Sequence, residues 1–89
     1  MKAIQFDGID WMIDGATATG ETRDGVGVVE RLDVDGEIRY RITWTPRDGS
    51  EPLWEVRRAR FYPPVERDQE WMVAWAMFWD RMRRVRGET

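Results

Sequence analysis

The sequence predicts an α+β fold in which short antiparallel strands form a small β-barrel or a meander and one C-terminal α-helix packs on them. Three observations lead to this prediction. Apolar and polar residues alternate over residues 38–44, which is typical of a half-buried strand. Pro63 and Pro64 end the β-rich part. Residues 66–86 then carry apolar side chains at helical spacing. The 89 residues suffice for one domain with a single modest core.

The first 25 residues predict two strands and a loop. Two short apolar stretches, residues 3–6 and 9–13, are separated by Asp7-Gly8, a dipeptide that favours a turn. Residues 14–25 contain three glycines and little apolar content. We therefore predict a loop over this second segment.

A β-hairpin is predicted around Asp35-Gly36, with two alternative registers. A two-residue turn at Asp35-Gly36 pairs Val28 with Thr43, which places an apolar residue opposite a polar one. A three-residue loop with Gly36 in the left-handed conformation pairs Val28 with Ile42 instead. Because a shift of one residue reverses every face of a strand, burial of apolar side chains favours the three-residue loop.

Residues 53–61 predict a further strand after a loop rich in turn formers. Trp54 and Val56 share one face of this strand, whereas Leu53, Ala59 and Phe61 share the other. The apolar face therefore switches partway along the strand, as it does at a bulge or a strong bend.

Residues 66–86 predict an amphipathic helix. Acidic residues lie in its first turns and four arginines in its last, which suits the helix dipole. Trp75 and Phe78 belong to a broad apolar face that we expect to pack on the strands, while Val73 and Met77 fall on the opposite side. More apolar surface is present than one side can cover. We therefore predict an exposed partner-binding patch of the kind that marks interfaces, formed by Met72, Val73, Met77 and Trp79.

The order and spacing of the predicted strands in residues 25–62 resemble those of SH3-like and Tudor-like barrels. The stretches GVVE (27–30), YRITW (40–44) and WEVRRAR (54–60) carry this resemblance. A Tudor-like barrel would imply an aromatic cage for methylated ligands, and core packing is the favoured alternative for the aromatic rings concerned. These rings belong to Trp11, Trp44, Trp54 and Tyr62.

The composition excludes several chemistries. The sequence contains no His and no Cys, so His-based acid–base catalysis, Ser-His or Cys-His nucleophiles and the usual zinc sites are excluded. We interpret the aspartates at positions 7, 10 and 14 as solvated carboxylates rather than metal ligands. We expect no catalytic site, no cofactor and no metal. The lack of Cys favours the cytoplasm, and the longest apolar run, of nine residues, is too short to span a membrane.

The charge is unevenly distributed along the chain. The net charge is −3, with −6 over residues 1–37 and +3 over residues 38–89. Arginines on neighbouring strands could form a basic stripe for nucleic acid or an acidic partner, although ion pairs with Glu30, Glu37 and Glu55 are the favoured interpretation. The arginines concerned are Arg39, Arg41, Arg57, Arg58 and Arg60.

These observations favour a protein–protein interaction module without enzymatic activity, which associates with itself or with another protein. The first alternative is a nucleic-acid-associated SH3-like barrel that uses the arginine stripe. The second starts from the thirteen arginines and single lysine, which suggest a GC-rich bacterial or phage source. It is a phage or mobile-element accessory protein that inhibits a host protein, such as an anti-CRISPR or another anti-defence inhibitor. A membrane-surface helix is disfavoured because acidic residues interrupt its basic face.

Overall fold

The computed structural model describes residues 1–87 and shows six β-strands followed by one α-helix. The strands form one antiparallel sheet in the order β1-β2-β3-β4-β5-β6, so every strand pairs with its neighbours in sequence. Of the two predicted arrangements, the meander is the observed one, because the described pairing leaves β1 and β6 as the two edges of an open sheet. The elements are β1 (Lys2–Phe6), β2 (Ile9–Asp14), β3 (Thr17–Glu21), β4 (Gly25–Val34), β5 (Glu37–Pro46), β6 (Leu53–Arg58) and α1 (Arg67–Val85).

The predicted turn at Asp7-Gly8 is confirmed and joins β1 to β2. Both residues have positive φ angles, 57° for Asp7 and 72° for Gly8, which is the conformation that a tight hairpin turn requires. The predicted loop over residues 14–25 is wrong, because this segment contains β3. Ala18 is fully buried there, and Gly20 lies beneath the ring of Trp11. Small residues that accommodate a large ring look like a loop in the sequence, although here they form a strand.

The predicted register of the hairpin between β4 and β5 is also wrong. Asp35 and Gly36 form a two-residue turn with φ angles of 53° and 77°, and Val28 pairs with Thr43. The helix covers one face of the sheet, here called the helix face, and the opposite face is called the open face. Val28 lies on the open face. The helix face of β4 is formed by residues 25, 27 and 29, two of which are glycines.

The glycines make room for tryptophan rings. Gly20 of β3 pairs with Gly27 of β4, and Trp11 and Trp44 flank them on β2 and β5. A Cβ atom at Gly27 would lie 2.9 Å from two ring atoms of Trp75 on the helix. Burial therefore selects the register that brings Gly25, Gly27 and Val29, rather than Val26 and Val28, to the helix face.

The helix α1 lies over this floor, as predicted, and it is one residue shorter at each end than the predicted range. Its buried residues include Trp71, Trp75 and Phe78. The Trp75 ring meets Trp11 edge-on with 5.0 Å between ring centroids. Asp68 and Glu70 lie in the first turn and Arg83 and Arg84 in the last turn. The core therefore lies between α1 and the helix face of the sheet.

The strand β6 shows the two faces that the sequence predicts, but the predicted bulge is wrong, because β6 pairs with β5 in one uninterrupted register from Leu53 to Arg58. Leu53 packs against the core, whereas Trp54 and Val56 lie on the open face and are exposed. The strand ends at Arg58, three residues earlier than predicted. Ala59 still donates its N–H to the carbonyl of Ile38 at 2.9 Å.

Candidate interaction site

An uncharged row of side chains crosses the open face of the sheet, with one residue from each strand. Adjacent members are directly paired in the strand registers, so they share one face. Trp54 at the β6 end is 64% exposed, and Met12 near the other end is 43% exposed. No other element of residues 1–87 covers these two side chains. The row consists of Ala3, Met12, Thr19, Val28, Thr43 and Trp54.

Charged residues border this row on both sides. Asp10 pairs with Glu21 along one border, and Glu30 pairs with Arg41 along the other. The acidic residues of the first border come from β2 and β3, whereas the arginines of the open face come from β5 and β6. The open face is therefore acidic towards β1 and basic towards β6, with an apolar strip between the two.

The predicted arginine stripe is divided between the two faces of the sheet. Arg39 pairs with Arg58 on the open face, and both guanidinium groups share the carboxylate of Glu37, at 3.4 Å and 3.7 Å. Arg41, on the same face, lies 3.5 Å from Glu30. These ion pairs, one within β5 and two between neighbouring strands, thus neutralise much of the charge that a polyanion would need.

The remaining two arginines of the predicted stripe are elsewhere. Arg57 lies on the helix face, where its guanidinium is 3.4 Å from Glu55 and 3.5 Å from the carbonyl of Met77. Glu55 also accepts a 2.9 Å hydrogen bond from Arg81 of the helix. Arg60 is exposed beyond the end of β6. The five arginines therefore do not form one continuous surface.

The predicted patch on the helix is smaller than its sequence suggests. Met72 is only 4% exposed and belongs to the core, so it does not contribute to a surface patch. Trp79 is half-buried and its ring stacks parallel to Trp75, with 5.9 Å between centroids. At 100° per residue the buried side chains span roughly 160° of the helix, which is wider than one side. Met77, 42% exposed, and the partly buried Val73 remain at the surface.

A cleft of about 810 Å³ lies where the last turns of α1 meet the turns at one end of the sheet. Trp44 and Trp79 line this cleft together with charged residues of both signs. The Arg47 side chain donates to the carbonyl of Thr22 at 2.9 Å, and Arg83 lies 5.8 Å from the ring centre of Trp79. The charged rim residues are Asp7, Arg23, Asp24, Arg47, Asp48, Arg83 and Arg86.

The aromatic residues considered for a cage do not converge. Trp11 and Trp44 belong to the core, Trp54 lies on the opposite face of the sheet, and Tyr62 is 97% exposed on the segment after β6. Within residues 1–87 no three carboxylates lie close enough together to hold a metal ion.

In the sequence Trp54 is a candidate only for the aromatic cage, and no pattern assigns it to an exposed binding face. The signal was present, because both faces of β6 begin with a large apolar residue, Leu53 and then Trp54. One covering helix can bury only one of the two faces. The choice between them depends on where the helix lies.

Comparisons of this chain with protein-family models, with curated proteins and with solved structures find no match. Within residues 1–87, α1 does not combine the length and the apolar composition that a membrane-crossing helix requires.

Proposed function

We propose that the protein is a protein–protein interaction module without enzymatic activity, and that it binds through the open face around Trp54. The exposure of Trp54 is the observation that carries this proposal. An antiparallel sheet with one covered face normally carries polar residues on the other. Here the open face carries Met12, Val28, Trp54 and Val56 instead.

The chemistry of this surface suits a protein partner. Tryptophan and arginine are among the residue types most enriched in binding hot spots. Trp54 shares its face with Arg41, which pairs with the next outward residue Val56, and with Arg39 and Arg58 one pair further along. A partly apolar centre with charged borders matches the general organisation of protein interfaces. The exposed Met77 of the helix lies near β6, because its carbonyl accepts a hydrogen bond from Arg57.

The two alternatives relate differently to this surface. Nucleic-acid binding by an SH3-like barrel stays a prediction, and the ion pairs of Arg39, Arg41 and Arg58 count against it. Inhibition of a host protein is one form of the proposed function, since an inhibitor also needs a protein-binding surface.

Site-specific photo-crosslinking in cells that express the protein tests this proposal. A photoreactive amino acid at position 54 should give discrete protein adducts upon irradiation. The same amino acid at position 85 is the control, because Val85 is 73% exposed but belongs to the helix, which lies on the opposite face of the sheet from Trp54. Adducts that are absent at position 54, or equally abundant at both positions, would contradict the proposal.

A further inference from the structure

The outer edge of β6 is free for pairing. The N–H of Ala59 donates to the carbonyl of Ile38, so these two residues form a hydrogen-bonded pair. Such pairs alternate along an antiparallel ladder, which means that residues 53, 55 and 57 bond towards β5. The N–H and C=O groups of Trp54, Val56 and Arg58 therefore point away from β5, and of these the carbonyl of Arg58 already accepts one hydrogen bond, from the N–H of Arg60 at 3.1 Å. Within residues 1–87 no strand pairs with this edge.

The sequence of β6 is complementary to itself in one antiparallel register. When two copies pair about a two-fold axis at Val56, Glu55 lies opposite Arg57 of the second copy on the helix face. Trp54 then lies opposite Arg58 of the second copy on the open face, where a cation–π contact can form. Leu53 lies opposite Ala59 of the second copy, which pairs two apolar residues. Each of the three contacts occurs twice because of the symmetry.

The other registers are less favourable. A two-fold axis at Arg58 places this arginine opposite Arg58 of the second copy. An axis at Glu55 or at Arg57 likewise places two identical charges opposite each other. An axis at Trp54 places Pro52 opposite Val56, where proline has no N–H to donate. Val56 is also a residue whose backbone groups point outwards, so this register makes two hydrogen bonds at the axis itself.

Unsatisfied polar atoms lie at the same edge. Oε2 of Glu55 and Nε of Arg57 are both buried without a hydrogen-bond partner among residues 1–87. Oε2 of Glu55 lies 3.4 Å from Nη2 of Arg57 in an ion pair, whereas Nε of Arg57 is left without a hydrogen-bond partner in this part of the chain. Buried groups of this kind are costly when they have no partner. In the Val56 register Glu55 lies beside Arg57 of the second copy, and Arg57 lies beside Glu55 of the second copy.

We propose that the partner bound at Trp54, at the β6 end of the open face, is a second copy of the chain, and that two β6 strands pair antiparallel about Val56 to form one continuous twelve-stranded sheet. This proposal rests on the proposed function and names the partner. Both helices lie on the same side of that sheet, because the two-fold axis is perpendicular to it. Met77, at the β6 side of each helix, then faces the seam.

Light scattering with two matched variants tests the pairing. The wild-type protein should give a concentration-dependent mass of twice the 10.6 kDa chain, and high salt should not abolish it. Val56→Pro removes the N–H at the free edge without breaking a bond to β5. We expect it to raise the dimer Kd by at least about 30-fold, because both central hydrogen bonds are lost. Val56→Thr keeps the N–H and should keep the dimer.

A mixing experiment tests the register. Glu55→Arg alone sets arginine against arginine across the seam, and Arg57→Glu alone sets glutamate against glutamate. Each variant should therefore dimerise at least about tenfold more weakly than the wild type. An equal mixture restores opposite charges at every position and should form a heterodimer. Circular dichroism shows that each chain is folded before mixing.

A wild-type protein that is monomeric at every concentration would overturn the homodimer, as would a dimer that Val56→Pro leaves intact. A mixture that fails to form the heterodimer, from two folded variants, would overturn the register. If the chain is monomeric but position 54 crosslinks to a different protein, the homodimer fails while the proposed function stands. If neither a dimer nor a crosslink is found, both fail.

Discussion

Gly27 lies directly beneath the indole ring of Trp75, so closely that a Cβ atom at position 27 would stand 2.9 Å from two of its ring atoms. This contact joins β4 to α1 at the centre of the core, where Trp75 is 1% exposed. It also explains the register of the β4–β5 hairpin, because residue 27 must face the helix for the ring to fit.

Gly27→Ala should therefore destabilise the protein by about 1–3 kcal/mol, the usual cost of overpacking a core. Urea denaturation of the variant measures this change. Combining the substitution with Trp75→Phe provides the control, because a smaller ring leaves room for the added methyl group. The double variant should lose less stability than the sum of the two single variants. Strict additivity would show that the two residues do not compete for the same space.

Trp75 and Trp54 form a matched pair of tryptophans on opposite faces of the fold. Trp75→Ala should cost about 3–5 kcal/mol, because it leaves a cavity in the core. Trp54→Ala should cost about 1 kcal/mol or less, since most of the side chain is already in water. Chemical denaturation of the monomer at low protein concentration compares them. Equal losses for the two variants would mean that Trp54 is buried in solution.

Tyr40 predicts a decline of stability at alkaline pH. Burial, and then the 2.7 Å hydrogen bond to Glu70, raise the pKa of the Tyr40 phenol well above its ordinary value of 10.0. The folded protein thus holds the phenolic proton more tightly than the unfolded chain does. This contribution is fully present below about pH 10 and is lost as the pH rises towards the higher pKa of the folded state.

The variant Tyr40→Phe removes this part of the pH dependence. Urea denaturation at pH 8 and at pH 11 should show a smaller loss of stability in the variant than in the wild type. At pH 8 the variant should be less stable by about 1.5–3 kcal/mol, because a hydrogen bond to a charged group is lost. Tyr62→Phe is the control. Because Tyr62 is exposed, this variant should lose as much stability between pH 8 and pH 11 as the wild type does. If the wild type and Tyr40→Phe lose the same stability between pH 8 and pH 11, Tyr40 is not the cause of the alkaline decline.

The turn at Asp35-Gly36 gives a test of the observed hairpin. Gly36 has a φ angle of 77°, a conformation that residues with a Cβ atom adopt at a cost of about 1–2 kcal/mol. Gly36→Ala should lower the free energy of unfolding by that amount. Gly36→Asn should lower it less, because asparagine tolerates the left-handed region. A stability ranking in which alanine equals asparagine would contradict this geometry.

Local sequence signals predict much of this fold. The helix, the turn at Asp7-Gly8 and the two faces of β6 all follow from residues within one element. The Asp35-Gly36 dipeptide also favours the observed two-residue turn. The predicted register is wrong because Val28 lies on the open face while Gly27 faces the core.

The tertiary structure decided which faces are buried. Glycine contributes to a core only when a large ring from elsewhere occupies the space above it, as the rings of Trp11 and Trp75 do here. The same reason accounts for β3, for the burial of Met72 and for the exposure of Trp54. The sequence by itself determined the elements, their turns and the apolar residues available to the core. Only the packing of α1 on one face of the sheet determined which of those residues remained in water, because burial is a relation between two surfaces that are distant in the chain.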